Sequence, residues 1–391
     1  MSDAVVSVDR ALRVAVVWDT RTQWLGGWNY FLNMVRVTSA FAPSLRFILF
    51  SSPDLGQTLA LQARSAGAET ALTLPPFRRF THPRILIGGR HAMLARALRD
   101  ARIDVVFEMT NYLGPLPVPA ISWIADAQHR LLPQLFSSRE RLQRDLEFRR
   151  RLTRSHVMLS SQAARRDILD FLPSAQAQLH VVPFAVRATL AINDTVIAAA
   201  QARYGLKPGY LYLPNQLWQH KNHVLALEAL SSAVKDGADI RLAMSGQALD
   251  SRNGSYPHKL AKLMDDSTLA SHVRMLGVIP YSDLLALIAG SRALLNPSLF
   301  EGWSTTVEEA KALGAQMVLS DLPVHREQAE GKAIFFDRHS VSDCARALRQ
   351  AMTLPVAPNA ARRAQAAAEN LEDQRAYAEK LEAVFRAGIN G

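Results

Sequence analysis

Short apolar runs alternate with amphipathic stretches along this chain; the alternation stops once and then starts again. In the first half the apolar runs are residues 13–19 (RVAVVWD), 46–51, 103–109, 120–125, 155–160 and 179–183. Helical stretches separate most of them, notably 28–41, 137–153 and 162–171. Near-continuous apolar strands divided by helices predict a parallel sheet covered on both faces. After a break near 184–195 the pattern resumes at 210–214, 240–245, 273–277, 293–297, 316–320 and 333–337, with a helix over 222–235. The expected fold class is α/β, with two Rossmann-like doubly wound domains facing each other across a cleft. A last helical stretch, 359–387, is rich in Ala, Arg and Glu. No repeat of about 20–50 residues is visible, which argues against a solenoid.

Composition narrows the function classes. The chain of 391 residues has one cysteine, Cys344, so neither an intramolecular disulfide nor a cysteine-rich zinc site is available. That favours a reducing compartment. No apolar run reaches ~18 residues, so no membrane-spanning helix is expected, and the first residues carry no secretory pattern. The net charge is +10. Residues 1–200 hold 24 Arg, no Lys and 15 acids, whereas residues 201–391 hold 21 basic and 20 acidic residues. Arginine gathers at 78–79, 84–102 and 139–154. Such an excess suits nucleic acid, an anionic membrane or an anionic ligand, or else a solvated helix face. The arginines are scattered and accompany no nucleic-acid motif, so nucleic acid is not the expected partner.

Ligands of open α/β sheets bind outside the carboxyl ends of the strands, so the strand-to-helix turns carry the chemistry. After the first strand, Gly26 and Gly27 precede a helix expected to start near Trp28. They form either a tight turn or a close approach to an anion at free helix N–H groups. The spacing G-x-G-x-x-G is absent, so no nicotinamide or flavin cofactor is predicted. In the turn after 210–214, Lys221 sits at a helix start, where the dipole opposes a cation unless an anion lies beside it. Asn215, Gln216 and His220 add polar groups there. His220 and His223 stand three apart but have no accompanying carboxylate, so a metal site is not favoured.

The richest turn is Asn296-Pro-Ser-Leu-Phe-Glu-Gly-Trp-Ser-Thr-Thr-Val-Glu-Glu. Glu301 lies in the loop, Gly302 allows a sharp turn, and Ser304, Thr305 and Thr306 bring hydroxyls and N–H groups to a helix start. Glu309 follows one turn inside. Carboxylates of this kind accept paired hydrogen bonds from sugar or ribose hydroxyls. A capping box, Thr305 with Glu308 or Thr306 with Glu309, is the structural alternative. It leaves Glu301 unexplained. In the first half, Asp126 and His129 follow the run at 120–125, and a carboxylate near a histidine can orient it and raise its pKa. They form either a cleft pair or a surface turn. Asn111 and Tyr112, after the run at 103–109, are candidates for the acceptor side.

The segment FEGWSTTVEEAKALG resembles the E-x7-E segment of family 4 retaining glycosyltransferases, which have the GT-B fold. Glu301 and Glu309 match its two glutamates. LPNQLWQHKNHVLALEAL resembles the strand–loop–helix that holds the donor diphosphate in that family, with Lys221 matching its lysine. Family members often carry an arginine six residues earlier, where this chain has Asn215. The Gly26–Gly27 turn resembles the family's N-terminal glycine loop, and His129 matches a histidine often found near the transferred sugar.

The resemblance implies an acceptor-side domain over 1–188 and a nucleotide-sugar domain over 189–372. A helix at 373–391 would then cross back to the first domain. It implies transfer of a hexose from a UDP- or GDP-sugar to a glycan, glycolipid or lipid-linked acceptor, in bacterial surface polysaccharide assembly. Anomeric configuration would be retained, without a metal or other bound cofactor. In that scheme Lys221 and the helix start at Gly302, Trp303 and Ser304–Thr306 hold the diphosphate. Glu309 holds the ribose, Glu301 the donor sugar, and His129 with Asp126 the sugar's far end or the acceptor. A cytoplasmic location follows, with peripheral contact at the anionic inner face of the plasma membrane. The competing readings are a nucleotide-sugar epimerase of the same layout, a pyridoxal phosphate-dependent phosphorylase and a basic nucleic-acid-binding protein.

Overall fold

Two parallel sheets organise the chain in a computed structural model that describes residues 10–18, 25–51, 56–73, 89–187, 192–247 and 256–390. The first sheet contains β1 (Leu12–Trp18), β2 (Leu45–Ser51), β3 (Thr70–Thr73), β4 (Val105–Glu108), β5 (Ala120–Ile124), β6 (His156–Leu159) and β7 (Gln178–Val181). Its order is β3-β2-β1-β4-β5-β6-β7. The second contains β8 (Leu211–Leu213), β9 (Leu242–Met244), β10 (Val273–Met275), β11 (Ala293–Asn296), β12 (Met317–Ser320) and β13 (Ile334–Phe336), in the order β10-β9-β8-β11-β12-β13. Both orders reverse beside their first strand, β1 against β4 and β8 against β11. Those reversals are the switch points at which doubly wound sheets open a crevice.

The helices in the first half are α1 (Leu25–Phe41), α2 (Gly56–Ala66), α3 (Gly89–Asp100), α4 (Gln128–Leu131), α5 (Ser138–Arg151) and α6 (Gln162–Phe171). The second half has α7 (Asp194–Arg203), α8 (His223–Lys235), α9 (Tyr256–Met264), α10 (Tyr281–Gly290), α11 (Thr305–Ala312), α12 (Pro323–Ala329) and α13 (Val341–Ala351), and α14 (Ala360–Asn390) ends the chain. The strand interiors are almost wholly buried, as Val14, Val16, Val105 and Phe107 show in the first sheet and Leu211, Leu213 and Leu295 in the second. Burial on both faces is what near-continuous apolar runs require.

All twelve expected runs form strands. β3 was not expected, because Thr-Ala-Leu-Thr at a sheet edge has no apolar run. α1 starts at Leu25, so Gly26 and Gly27 lie inside its first turn and do not precede it. First-turn N–H groups have no intrahelical acceptor, so glycine there is easily mistaken for a turn. Residues 19–24, which lead into this helix, lie outside the described residues, as do Arg78, Arg79 and Arg84.

α14 is one continuous helix of 31 residues, about 46 Å long at 1.5 Å per residue. The expected boundary at residue 373 falls inside it. Ala366, near its start, packs close to Gly314 at the end of α11. Tyr377, Leu381 and Phe385 are buried in the core of the first half. The Phe385 ring lies 5.8 Å from Phe47 and 5.3 Å from Phe107. The helix therefore crosses from one half to the other.

Candidate active site

Two loops flank the switch point of the second sheet, one after β8 and one after β11. The first passes Asn215, makes a single 3-10 turn over Gln219–Lys221, and enters α8 through Asn222, which is left-handed at φ 56°. The Asn222 side chain secures that conformation by donating to the Arg338 carbonyl at 3.0 Å. Gly246, at φ +143°, allows the next strand end to approach; a Cβ there would lie 2.3 Å from the Asn215 carbonyl oxygen. The two loops are tied together by Leu299 N–H, which donates to His220 O at 2.7 Å.

The tie brings Lys221 to Glu301, with Nζ 2.6 Å from Oε1. Ser298 Oγ lies 2.7 Å from the same Glu301 oxygen and 2.7 Å from Asn296 Oδ1. Its single proton serves one acceptor at a time. Burial alone would raise the Glu301 carboxyl, but Lys221 and the polar groups around it bring it below the usual carboxylate range. Glu301 is therefore an anion at neutral pH.

Neither expected capping box forms. Ser304 is the N-cap of α11, and its side chain caps no backbone N–H. Its Oγ instead accepts from Asn296 Nδ2 at 3.0 Å. Gln328 of α12 grips the Ser304 backbone on both sides, accepting from N–H and donating to C=O, each at 3.0 Å. Glu308 turns toward Gln328 and Lys311. Thr305 is exposed and Thr306 half-buried. Glu309 is buried, which pushes its carboxyl up to about 7, and its partner is the Tyr281 hydroxyl.

The first half closes against this loop. A Cβ on Gly302 would lie 2.6 Å from the Ala125 carbonyl oxygen and 2.8 Å from Asp126 Cβ, so glycine is what lets the turn after β5 reach Glu301–Gly302. Trp303 lies at the junction between the halves, with Nε1 donating to Phe184 O at 3.0 Å. Glu327 of α12 accepts from Gln162 N–H at 2.9 Å, at the start of α6.

Asp126 is half-buried, and Oδ1 accepts from Gln128 N–H at 3.0 Å. His129 differs from expectation: its side chain has no exposed surface. A capping box of Ser137 and Glu140 starts α5, which presents Asp145 and Phe148 one turn apart. Asp145 Oδ1 holds His129 Nε2 at 2.9 Å, and the Phe148 ring stands edge-on at 5.0 Å. Burial lowers the His129 pKa and Asp145 only partly opposes it. The ring faces inward and braces the turn. Asn111 is exposed, and Tyr112 lies under the Arg154 guanidinium at 4.5 Å. His223 is buried at the start of α8, where burial pushes it down to about 3.

Sequence reasoning did not assign roles to Asn296, Ser298, Gln328 or His325. Gln328 and His325 come from the next strand–helix unit and stand outside any local motif. Among the described residues, no group of three or more His, Cys, Asp or Glu is placed to hold a metal. A cavity of about 700 Å³ lies elsewhere, between α11, α12 and α14, and Gln328 lines it. Among the described residues, no helix is long and apolar enough to cross a membrane.

Two facing doubly wound sheets, joined by a crossing terminal helix, make this a GT-B fold. Solved structures agree. A glycosyltransferase from Rickettsia africae aligns at TM-score 0.73 and 14% identity, over 98% of this chain and 100% of that one. HepE of Anabaena, in complex with UDP-glucose, aligns at TM-score 0.66 and 14% identity over 97% and 98%. Sucrose-phosphate synthase from Thermosynechococcus elongatus aligns at TM-score 0.61 and 14% identity over 97% and 96%. No curated protein matches the chain in sequence. Residues 199–371 match the family of glycosyl transferases group 1. The protein is a glycosyltransferase, and its likeness to that family lies in the second half of the chain.

Proposed function

We propose that the chain moves a hexose from a UDP- or GDP-sugar to a glycan or lipid-linked acceptor, with retention and without a metal. The observation that carries this reading is the Lys221–Glu301 pair at the second switch point, with the start of α11 beside it and Asp126 across from it. Lys221 and the first-turn N–H groups of α11 at Thr305 and Thr306 take the charge of the leaving diphosphate. Glu301, anionic and fixed by Ser298, binds hydroxyls of the transferred sugar. Glu309 binds the ribose in place of Tyr281. Asp126 faces the sugar from the other wall, and His129 holds that wall in shape. Trp303 acts at the junction of the halves and not on the donor. Placement and charge stabilisation are what such a displacement asks of a protein. The UDP-glucose complex of HepE supports the donor class.

The acceptor half suits an anionic inner-leaflet surface. On the exposed side of α5, Leu142 and Leu146 are 61% and 46% exposed, and Arg139, Arg149 and Arg150 are also exposed. Leucines among arginines fit an interfacial contact.

The test is incubation with a panel of UDP- and GDP-hexoses, with and without a glycan or glycolipid acceptor extract. Acceptor-dependent nucleotide release with an α-linked product from an α-linked donor is expected. Isomerisation of donor alone would favour the epimerase. Release abolished by chelator and restored by manganese would remove metal independence.

A further inference from the structure

His325 lies in α12, outside the donor loops, and is fully buried. Its hydrogen bonds fix its tautomer. Ser320 Oγ donates its one proton to the Ser298 carbonyl at 2.7 Å. Toward His325 Nδ1, 3.1 Å away, that oxygen can then only accept. The Ser320 carbonyl, 3.0 Å from Nδ1, is also an acceptor. Nδ1 must therefore carry the hydrogen, which leaves a bare lone pair on Nε2. Nε2 has no partner among the described residues. Burial pushes the ring down to about 4, so it stays neutral at working pH.

A buried acceptor without a donor is costly, and an aliphatic side chain would fill the space without that cost. The compensating use lies at the other end of the chain of bonds. Nδ1–H holds Ser320, Ser320 holds the backbone of Ser298, and Ser298 Oγ meets Glu301 beside Lys221. His325 also lies within electrostatic reach of Glu301.

We propose that His325 is a positioning residue for Glu301, acting through a relay of Nδ1–H, Ser320 and Ser298 that runs from α12 to the loop after β11. The inference rests on the glycosyl-transfer reading for its effect on turnover. An asparagine amide nitrogen overlays Nδ1 of histidine, whereas a glutamine amide nitrogen overlays Nε2. The two substitutions therefore separate the two ring atoms.

His325→Gln should lower kcat about tenfold while the donor KM stays within about twofold. His325→Asn should retain most of the turnover. Ser320→Ala removes only a hydroxyl, and should lower kcat as His325→Gln does. Equal losses in the Asn and Gln variants, or wild-type kcat in Ser320→Ala, would overturn the relay. A urea-denaturation cycle on the full chain reads the same bonds without turnover. The His325→Gln/Ser320→Ala double variant should be no less stable than the weaker single, and additive losses would refute the coupling. If the wild-type chain released no nucleotide from any donor, glycosyl transfer would fall while the cycle still decided the relay.

Discussion

The two walls of the cleft are built in opposite ways. The wall after β8 and β11 is held by bonds of polar side chains: Lys221 to Glu301, Ser298 to Glu301, Asn296 to Ser304, and Gln328 to the Ser304 backbone. The wall after β5 is held by burial, with His129 packed on Phe148 and anchored to Asp145. Charge is divided the other way, with an excess of nine positive charges in residues 1–200 and one in residues 201–391. The diphosphate site we propose therefore lies in the nearly neutral half, and the arginine excess of the other half is not needed for it.

The largest effect should come from breaking the polar wall. Glu301→Ala and Lys221→Ala should each lower kcat by a factor on the order of 10²–10³, the scale of losing one preorganised electrostatic contact. Lys221→Ala should also lower the melting temperature, because it leaves the buried Glu301 carboxylate unpaired, whereas Glu301→Ala removes that charge and should lower it less. Steady-state nucleotide release with a thermal melt of each variant checks this. A Glu301→Ala enzyme turning over normally would end the assignment.

Second in size is the seam between the walls. Gly302→Ala places a methyl 2.6 Å from a backbone carbonyl of the opposite wall, which cannot swing aside as a side-chain tip can. The walls must separate, and kcat/KM should fall about tenfold or more with little change in melting temperature. A fall in melting temperature without a fall in kcat/KM would make the contact structural only.

The sequence disclosed the polar wall better than the buried one, and the reason is physical. Glu301, Ser304 and Glu309 lie on one loop and one helical turn, so their spacing carries their geometry. Lys221 is legible because a lysine at a helix start needs an anion. His325 and Gln328 reach the same place from β12 and α12, and only the sheet order brings them there. The orientation of His129 depends on Asp145 and Phe148 of another helix, so its match to a motif could not reveal that the ring faces inward. The short edge strand β3 has no apolar pattern to read.

The buried wall is tested by comparing Asp126→Asn with His129→Ala. Asp126→Asn should lower kcat/KM while the melt is almost unchanged. His129→Ala should cost about 2–4 kcal/mol of stability, as large-to-small core changes do. Its activity should follow its folded fraction. A His129→Ala enzyme that is fully folded but inactive would return the ring to the cleft.

The smallest effect concerns Glu309, where the polar wall resembles the buried one. Burial raises its carboxyl to about 7, against 4.5 for the free group. A folded state that holds a proton more tightly than the unfolded state is favoured at low pH. Its contribution is fully present below about pH 4.5 and is lost as pH rises through 7. Glu309→Gln keeps the shape and cannot ionise. Compared with wild type it should gain about 3 kcal/mol at pH 8 and little near pH 4.5. Glu308, also raised to about 7, stays in both proteins and drops out of the difference. Paired urea melts at the two pH values read it directly. Equal stability at pH 8 would mean that Glu309 is already solvated in the free enzyme, and that both carboxylates of this wall are held by polar contacts after all.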